Sequence, residues 1–115
     1  MQKKDGMNYA PQGLSRPVVK DGEFVFSVTA LEHGHIFGMT NGLLEAGATL
    51  KYVYDKDPGK IENFLKRYPQ AKAAKNLDEI LSDNETQMVA AADIPSQRGD
   101  LGLKVMDAGK HYFTD

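Results

Sequence analysis

The chain has 115 residues and a mass of 12.7 kDa, the size of one domain, and its 41% apolar and 26% charged residues are typical of a folded globular protein. Fourteen Lys and Arg against sixteen Asp and Glu residues give a net charge of −2, the wrong sign for nucleic-acid binding by phosphate neutralisation. The sequence has no cysteine, no apolar run near the roughly 20 residues of a membrane span and no signal-peptide core, so we expect a soluble cytoplasmic domain without disulfides, thiolate zinc or membrane contact.

Two segments of different character divide the chain. Residues 1–22 keep no period of 2 or 3.6 and predict an irregular arm, whereas residues 23–115 predict one domain. The domain begins with the β-branched and aromatic run Phe24–Thr29, which is typical of a strand buried on both faces. A turn from Ala30 leads to a helix that ends at Gly47 and whose apolar stripe comprises Ile36, Met39, Leu43 and Leu44.

The strand and helix pattern then repeats to the end of the sequence. The further predicted elements are a strand over Leu50–Tyr54, a helix capped by Asp57 and opened by Pro58, a short edge strand over Ala71–Ala74, a brief helix with Asn76 and Glu79 as a capping box, a strand over Met88–Ala92, a helix from Pro95 to a cap at Ala108 and Gly109, and a strand over His111–Thr114. Leu101, Leu103, Val105 and Met106 are the apolar residues of the fourth helix, and Met39, Leu43 and Met106 are predicted core residues.

This alternation predicts a doubly wound parallel sheet with helices on both faces, a Rossmann-like α/β domain of strand order 3-2-1-4-5. Ligands of such sheets bind at the carboxyl ends of the strands, where the order reverses between the first and fourth strands. Asp55 closes the second strand, close to the spacing at which a carboxylate accepts from the adenosine ribose of NAD. It is alternatively an exposed turn residue, and the neighbouring Lys56 would favour the 2′-phosphate of NADP.

The turn after the first strand lacks the usual glycines. Counted back from Gly47, the positions of a G-x-G-x-x-G fingerprint fall on Ala30, Glu32 and His35, and Glu32 adds bulk and negative charge where pyrophosphate approaches the backbone. Gly34 could provide the close approach from a shifted turn, with His33 or His35 as phosphate donors. Two histidines do not make a metal site, so no metal is predicted.

The loop after the fourth strand supplies a second group of candidates. Arg98 lies there in the first turn of a helix, where it would reach a phosphate, a nicotinamide ribose or an acidic substrate group, or else remain a solvated helix residue. No catalytic residue is predicted. The predicted cofactor-binding residues are Ala30, Leu31, Glu32, His33, Gly34, His35, Ile36, Asp55, Lys56, Asp93, Ile94, Pro95 and Arg98.

Four blocks of sequence carry a resemblance to a known family. They are His33–Met39 after the first strand, Glu45–Ala48 with Val53–Pro58, Leu77–Leu81, and Pro95 together with Asp107–Asp115. Residues 24–115 resemble the N-terminal nucleotide-binding domain of the glucose-fructose oxidoreductase / inositol dehydrogenase / MocA family. The last block is the most specific, because it is similar to the family's approach to a glutamate-lysine-proline motif, with Asp115 at the glutamate.

The resemblance implies an NAD- or NADP-dependent oxidoreductase, NAD being favoured, that transfers a hydride to or from a sugar-like or polyol substrate beside an acid/base lysine. The family's lysine and its C-terminal substrate domain would follow Asp115, so the chain is expected to be a fragment that is not catalytic alone. The alternative, motivated by Glu32, is a non-catalytic assembly or interaction module with a degenerate nucleotide site. Without the second domain, the face that it would cover and the edge strand His111–Asp115 would be exposed, which predicts self-association.

Overall fold

Five strands and four helices alternate in the computed structural model, which describes residues 18–32 and 34–114. They are β1 (Val25–Leu31), α1 (His35–Glu45), β2 (Thr49–Tyr54), α2 (Pro58–Arg67), β3 (Lys72–Ala73), α3 (Leu77–Leu81), β4 (Met88–Ala92), α4 (Pro95–Asp107) and β5 (His111–Thr114). Most of the predicted arm, residues 1–17, lies outside the described residues, as do His33 and Asp115. None of the helices described is long and apolar enough to cross a bilayer.

All five strands form one parallel sheet in the order β3-β2-β1-β4-β5. The chain therefore runs outward from β1 to β3, crosses back, and continues outward through β4 to β5. The predicted fold class and strand order are confirmed. They place the carboxyl ends of β1 and β4 side by side, with Leu31 of β1 opposite Ala92 of β4.

Helices cover both faces of the sheet. Because successive residues of a strand point to opposite faces, each central strand contributes side chains to two separate clusters. Phe26, Val28 and Ala90 belong to a cluster with Ile36 of α1 and Phe64 of α2. The opposite face forms a second cluster that contains Val89, Ala91, Ile80, Leu101 and Val105. This double burial explains why β1 and β4 do not alternate between buried and exposed residues.

Helix α4 corrects one expectation about the core. Leu101 and Val105, four residues apart, face the sheet, and the predicted core residue Met106 lies on the outer side of the helix with 57% of its surface exposed. Leu103 is exposed in the same way, whereas Met39 and Leu43 pack against the first cluster as predicted. The prediction for Met106 is wrong because apolar content alone does not reveal which side of a helix meets the sheet.

The predicted helix boundaries rest on identifiable caps. The Asp57 carboxylate accepts a hydrogen bond from a backbone N–H in the first turn of α2, and Asn76 Oδ1 accepts from the backbone N–H of Glu79 at 2.9 Å. Gly47 and Gly109 follow α1 and α4 with φ of 99° and 79°, the left-handed conformation that ends many helices.

A polar network joins the elements at the amino end of the sheet. Asp83 accepts from Lys51 Nζ at 2.8 Å and from Thr86 Oγ1 at 2.6 Å. Burial of Asp83 favours its neutral form, but the hydrogen bonds from Lys51 and Thr86 outweigh burial and hold the pKa of Asp83 below its usual range. The buried Lys110 Nζ donates to the carbonyls of Asp83 and Thr86 at 2.6 and 2.7 Å, which ties the start of β5 to the loop before β4.

Candidate functional site

The segment Ala30–Glu32, at the end of β1 and called the β1 turn below, has an unusual backbone conformation. Ala30 adopts φ +56°, which makes it the one residue other than glycine with positive φ in the described part of the chain. The next two residues are held from both sides: Leu31 N–H donates to Asp55 Oδ2 at 2.7 Å, and Glu32 N–H donates to the Ala92 carbonyl at 3.1 Å. The two hydrogen bonds thus fix the turn between the ends of β2 and β4. They do so although the first fingerprint position is Ala30 rather than glycine.

A cleft of about 370 Å³ opens beside this turn, at the carboxyl ends of β1, β2 and β4. Helices α3 and α4 form its other side. Its lining residues are Thr29, Ala30, Glu32, Tyr54, Asp55, Lys56, Leu77, Asp93, Gln97, Asp100, Leu101 and Lys104. The cleft occupies the switch point of the sheet, where open α/β folds bind ligands.

Asp55 lies at the centre of this edge and is only 5% exposed. Its Oδ2 accepts from Leu31 N–H, and its Oδ1 accepts from Asp57 N–H at 2.8 Å. The carboxylate thereby links the end of β1 to the N-terminus of α2. Each oxygen retains one lone-pair direction for a further donor, because an ionised carboxylate has about four acceptor sites.

Negative charge exceeds positive charge around the cleft. Its lining includes the four acidic residues Glu32, Asp55, Asp93 and Asp100 but only two basic residues, Lys56 and Lys104. The Glu32 carboxylate is additionally paired with Lys60 Nζ of α2 at 3.3 Å. No group of three or more His, Asp or Glu side chains suited to a metal ion occurs within residues 18–32 and 34–114.

The structure brings only part of the predicted site together. Ala30, Glu32, Asp55, Lys56 and Asp93 line the cleft. The predicted residues that do not line it are Leu31, Gly34, His35, Ile36, Ile94, Pro95 and Arg98, and His33 lies outside the described residues.

Three of the predicted residues outside the cleft have other surroundings in the structure. Ile36 is a core residue with 1% exposure, and His35 begins α1. Arg98, in the first turn of α4, folds back onto the preceding loop, where its Nε donates to the Asp93 carbonyl at 3.1 Å.

The sequence did not predict the wall of the cleft that α4 forms. Gln97, Asp100, Leu101 and Lys104 all lie on α4. Their spacings of three, four and seven residues place them on one side of a helix. A search of α4 for polar residues that share a side with its buried Leu101 would have found them.

The strand order and the cleft at the switch point define a Rossmann-like α/β domain. Among solved structures, the chain is similar to a protein of Erwinia carotovora atroseptica SCRI1043 to which an oxidoreductase function is provisionally assigned, with 33% identity over 80% of this chain and a TM-score of 0.76. It is also similar in fold to GenD2 from gentamicin A biosynthesis, solved in complex with NAD, with 19% identity over 91% of this chain and a TM-score of 0.74.

The two matches cover little of the proteins matched. The chain spans 28% of the length of the Erwinia protein and 29% of the length of GenD2. No family model matches the sequence, and no curated protein matches it. The likeness therefore establishes the fold of this domain.

Proposed function

We propose that the chain is the dinucleotide-binding domain of a cytoplasmic nicotinamide-dependent oxidoreductase of the glucose-fructose oxidoreductase / inositol dehydrogenase / MocA family. The observation that carries the proposal is the cleft at the switch point with Asp55 at the end of β2. The similarity to an NAD-bound protein and to one with an assigned oxidoreductase function supports it. A bound nicotinamide would accept or deliver a hydride.

The residues present fit the adenosine half of such a cofactor. Leu77 and Leu101 give the cleft apolar surface for a purine ring, and the strand-end carboxylates accept from ribose hydroxyls. Helix α1 begins at His35, three residues after Glu32, so the positive end of its dipole would favour a phosphate there. Glu32 is the unfavourable element, because its negative charge opposes the pyrophosphate.

The charges of the cleft favour NAD over NADP. Four carboxylates against two lysines give a negative surrounding for the adenosine ribose. The 2′-phosphate of NADP adds about two negative charges that this surrounding repels, whereas the 2′-hydroxyl of NAD donates to a carboxylate. Lys56 is the residue that would moderate the preference.

The substrate would be a sugar-like molecule or a polyol, on the basis of the family resemblance. Polypeptide beyond this chain would then supply the acid/base lysine and the substrate-binding surface. The role of the chain described here is to hold the dinucleotide and to present the nicotinamide at the carboxyl end of the sheet.

Titration of the protein with NADH and NADPH tests the proposal. Calorimetry should detect binding of both, with NADH the tighter. NADH should raise the melting temperature, and the rise should continue roughly with the logarithm of its concentration above Kd. Gln97→Trp should fill the cleft and weaken NADH binding at least about tenfold, as a buried clash of a few kcal/mol requires. Gln70→Trp, which places the same side chain at the amino end of the sheet, is the matched control and should bind NADH normally. Absence of heat and of thermal stabilisation at millimolar nucleotide would refute the proposal.

A second candidate function is a non-catalytic assembly module. It is favoured by Glu32 in the turn and by the exposed apolar side chains of Leu103, Met106 and Phe113, two on α4 and one on β5. Such a module would associate with itself or a partner through one or more of these exposed apolar side chains and would not respond to nucleotide. A concentration-dependent mass together with silent nucleotide titrations would favour it.

A further inference from the structure

We propose that Asp55 is a positioning residue that holds the β1 turn in the conformation set by the left-handed Ala30. It would thereby take over the part that glycine plays at the first position of a dinucleotide fingerprint, where this chain has Ala30. The expected effect on nucleotide binding rests on the proposed function. The hydrogen bond from Leu31 N–H to the Asp55 carboxylate, called the clamp below, is present in the protein without nucleotide.

Ala30 occupies a conformation that alanine avoids. At φ +56° its Cβ crowds the backbone, a conflict that glycine does not have. The position is also a break in the strand ladder: Thr29 pairs with Ala91 and Leu31 pairs with Ala92, so Ala30 is an extra residue in β1. Bulges of this kind usually place glycine at the left-handed residue. Something outside the turn must therefore maintain the conformation.

The contacts on the following residue identify what maintains it. Leu31 N–H donates to Asp55 Oδ2 at 2.7 Å. The hydrogen bond is short and buried, and such bonds to a carboxylate are stronger than those between neutral groups. Asp55 is itself immobilised, because its Oδ1 accepts from Asp57 N–H at 2.8 Å. On the other side, Glu32 N–H binds the Ala92 carbonyl. The side chain of Asp55 thus fixes the residue directly after Ala30 to the end of β2.

The turn in question lines the cleft through Ala30 and Glu32. Any relaxation of Ala30 to a negative φ would redirect Leu31 N–H away from Asp55 and move Glu32 relative to α3 and α4. Asp55 accordingly shapes the nucleotide site through the backbone, in addition to any direct contact with ribose.

A rescue experiment separates the positioning role from a direct contact. Asp55→Asn offers one acceptor atom where two amides need acceptors, so we expect NADH affinity to fall about tenfold or more. Ala30→Gly removes the strain and should restore the double variant to within about threefold of the unmodified protein. If the double variant binds as weakly as Asp55→Asn, the role of Asp55 is direct contact and the proposal is wrong. Asp57→Asn removes a neighbouring charge but keeps a good helix cap, and it should leave affinity within about threefold.

Amide hydrogen exchange at Leu31 tests the clamp without nucleotide. Protection should fall about tenfold or more in Asp55→Asn, because the side chain no longer offers an acceptor to both amides. Ala30→Val, with Asp55 intact, should also lower it, because a β-branched residue is more strained at positive φ. Unchanged protection in both single variants would overturn the proposal. If no dinucleotide binds but protection follows the expected pattern, the clamp stands and only the proposed function fails.

Discussion

Glu32 provides the sharpest test of how the cleft treats a nucleotide, because it places a carboxylate at the second glycine position of the fingerprint. Glu32→Gln keeps the size of the side chain and removes its charge. We expect this variant to bind NADH more tightly than the unmodified protein. The pyrophosphate carries negative charge, and the repulsion that the carboxylate exerts on it disappears.

The structure limits the size of the gain. Two unit charges about 4 Å apart interact by roughly 1 kcal/mol in water and about 4 kcal/mol near a protein surface. Glu32 is partly solvated, with a side chain 26% exposed, and Lys60 Nζ lies 3.3 Å from its carboxylate, so much of its charge is already compensated. We therefore take the lower bound of about 1 kcal/mol, which corresponds to an affinity about fivefold higher. Lys60→Gln leaves Glu32 uncompensated and should weaken binding by a similar factor.

Calorimetric titration with NADH at two salt concentrations measures the effect. Raising the ionic strength from about 0.1 M to about 1 M shortens the screening length from roughly 10 Å to 3 Å, so the differences among the three proteins should shrink. Equal affinities at low salt, or tighter binding by Lys60→Gln, would refute the electrostatic reasoning. Glu32→Gly, which removes bulk as well, should bind at least as tightly as Glu32→Gln, and failure of both variants to bind would mean that the crevice is closed.

Other expectations concern stability and assembly. A Cβ added at Gly99 of α4 meets no atom within 4 Å, so Gly99→Ala should raise the free energy of unfolding by up to about 1 kcal/mol. A Cβ added at Gly102 lies 2.8 Å from the Tyr112 ring, so Gly102→Ala should lower that free energy by about 1 kcal/mol. Urea unfolding measures both changes. Since the folded-state pKa of Asp83 is lowered, its ionised form stabilises the protein above the unfolded pKa near 4, and this contribution is lost as the pH falls through the folded value. Asp83→Asn should thus destabilise by about 1 to 3 kcal/mol at pH 7, with a difference from the unmodified protein that narrows in urea titrations toward pH 3. Light scattering should detect self-association as the concentration increases, and a strictly monomeric mass throughout would contradict it.

The fold could be predicted from sequence because its signals are local. The apolar runs of β1 and β4, the Asp57-Pro58 start of α2 and the glycines after α1 and α4 each determine one element or one boundary. The strand order then follows from the right-handedness of the crossovers, which is nearly invariant. The orientation of α4 required tertiary information, and Met106 was misplaced for that reason.

The site could be predicted only in part. The topology indicated which strand ends meet, and five of the predicted residues do line the cleft. The left-handed conformation of Ala30 leaves no trace in the sequence, since alanine ordinarily adopts negative φ. The burial of Asp55 was likewise hidden, because its partners Leu31 and Asp57 offer backbone N–H groups that any residue would supply.

The buried Lys110 affects the order in which the domain can be completed during synthesis. The loop before β4 is made well before Lys110, yet two of its carbonyls accept hydrogen bonds from that side chain. Until residue 110 and the strand after it have emerged, water must satisfy the carbonyls of Asp83 and Thr86, and the amino end of the sheet stays open to solvent. We therefore expect the addition of β5 to be the last step in folding of this domain during synthesis. A nascent chain halted before β5 should be cleaved readily by proteases, although its other four strands have already been made.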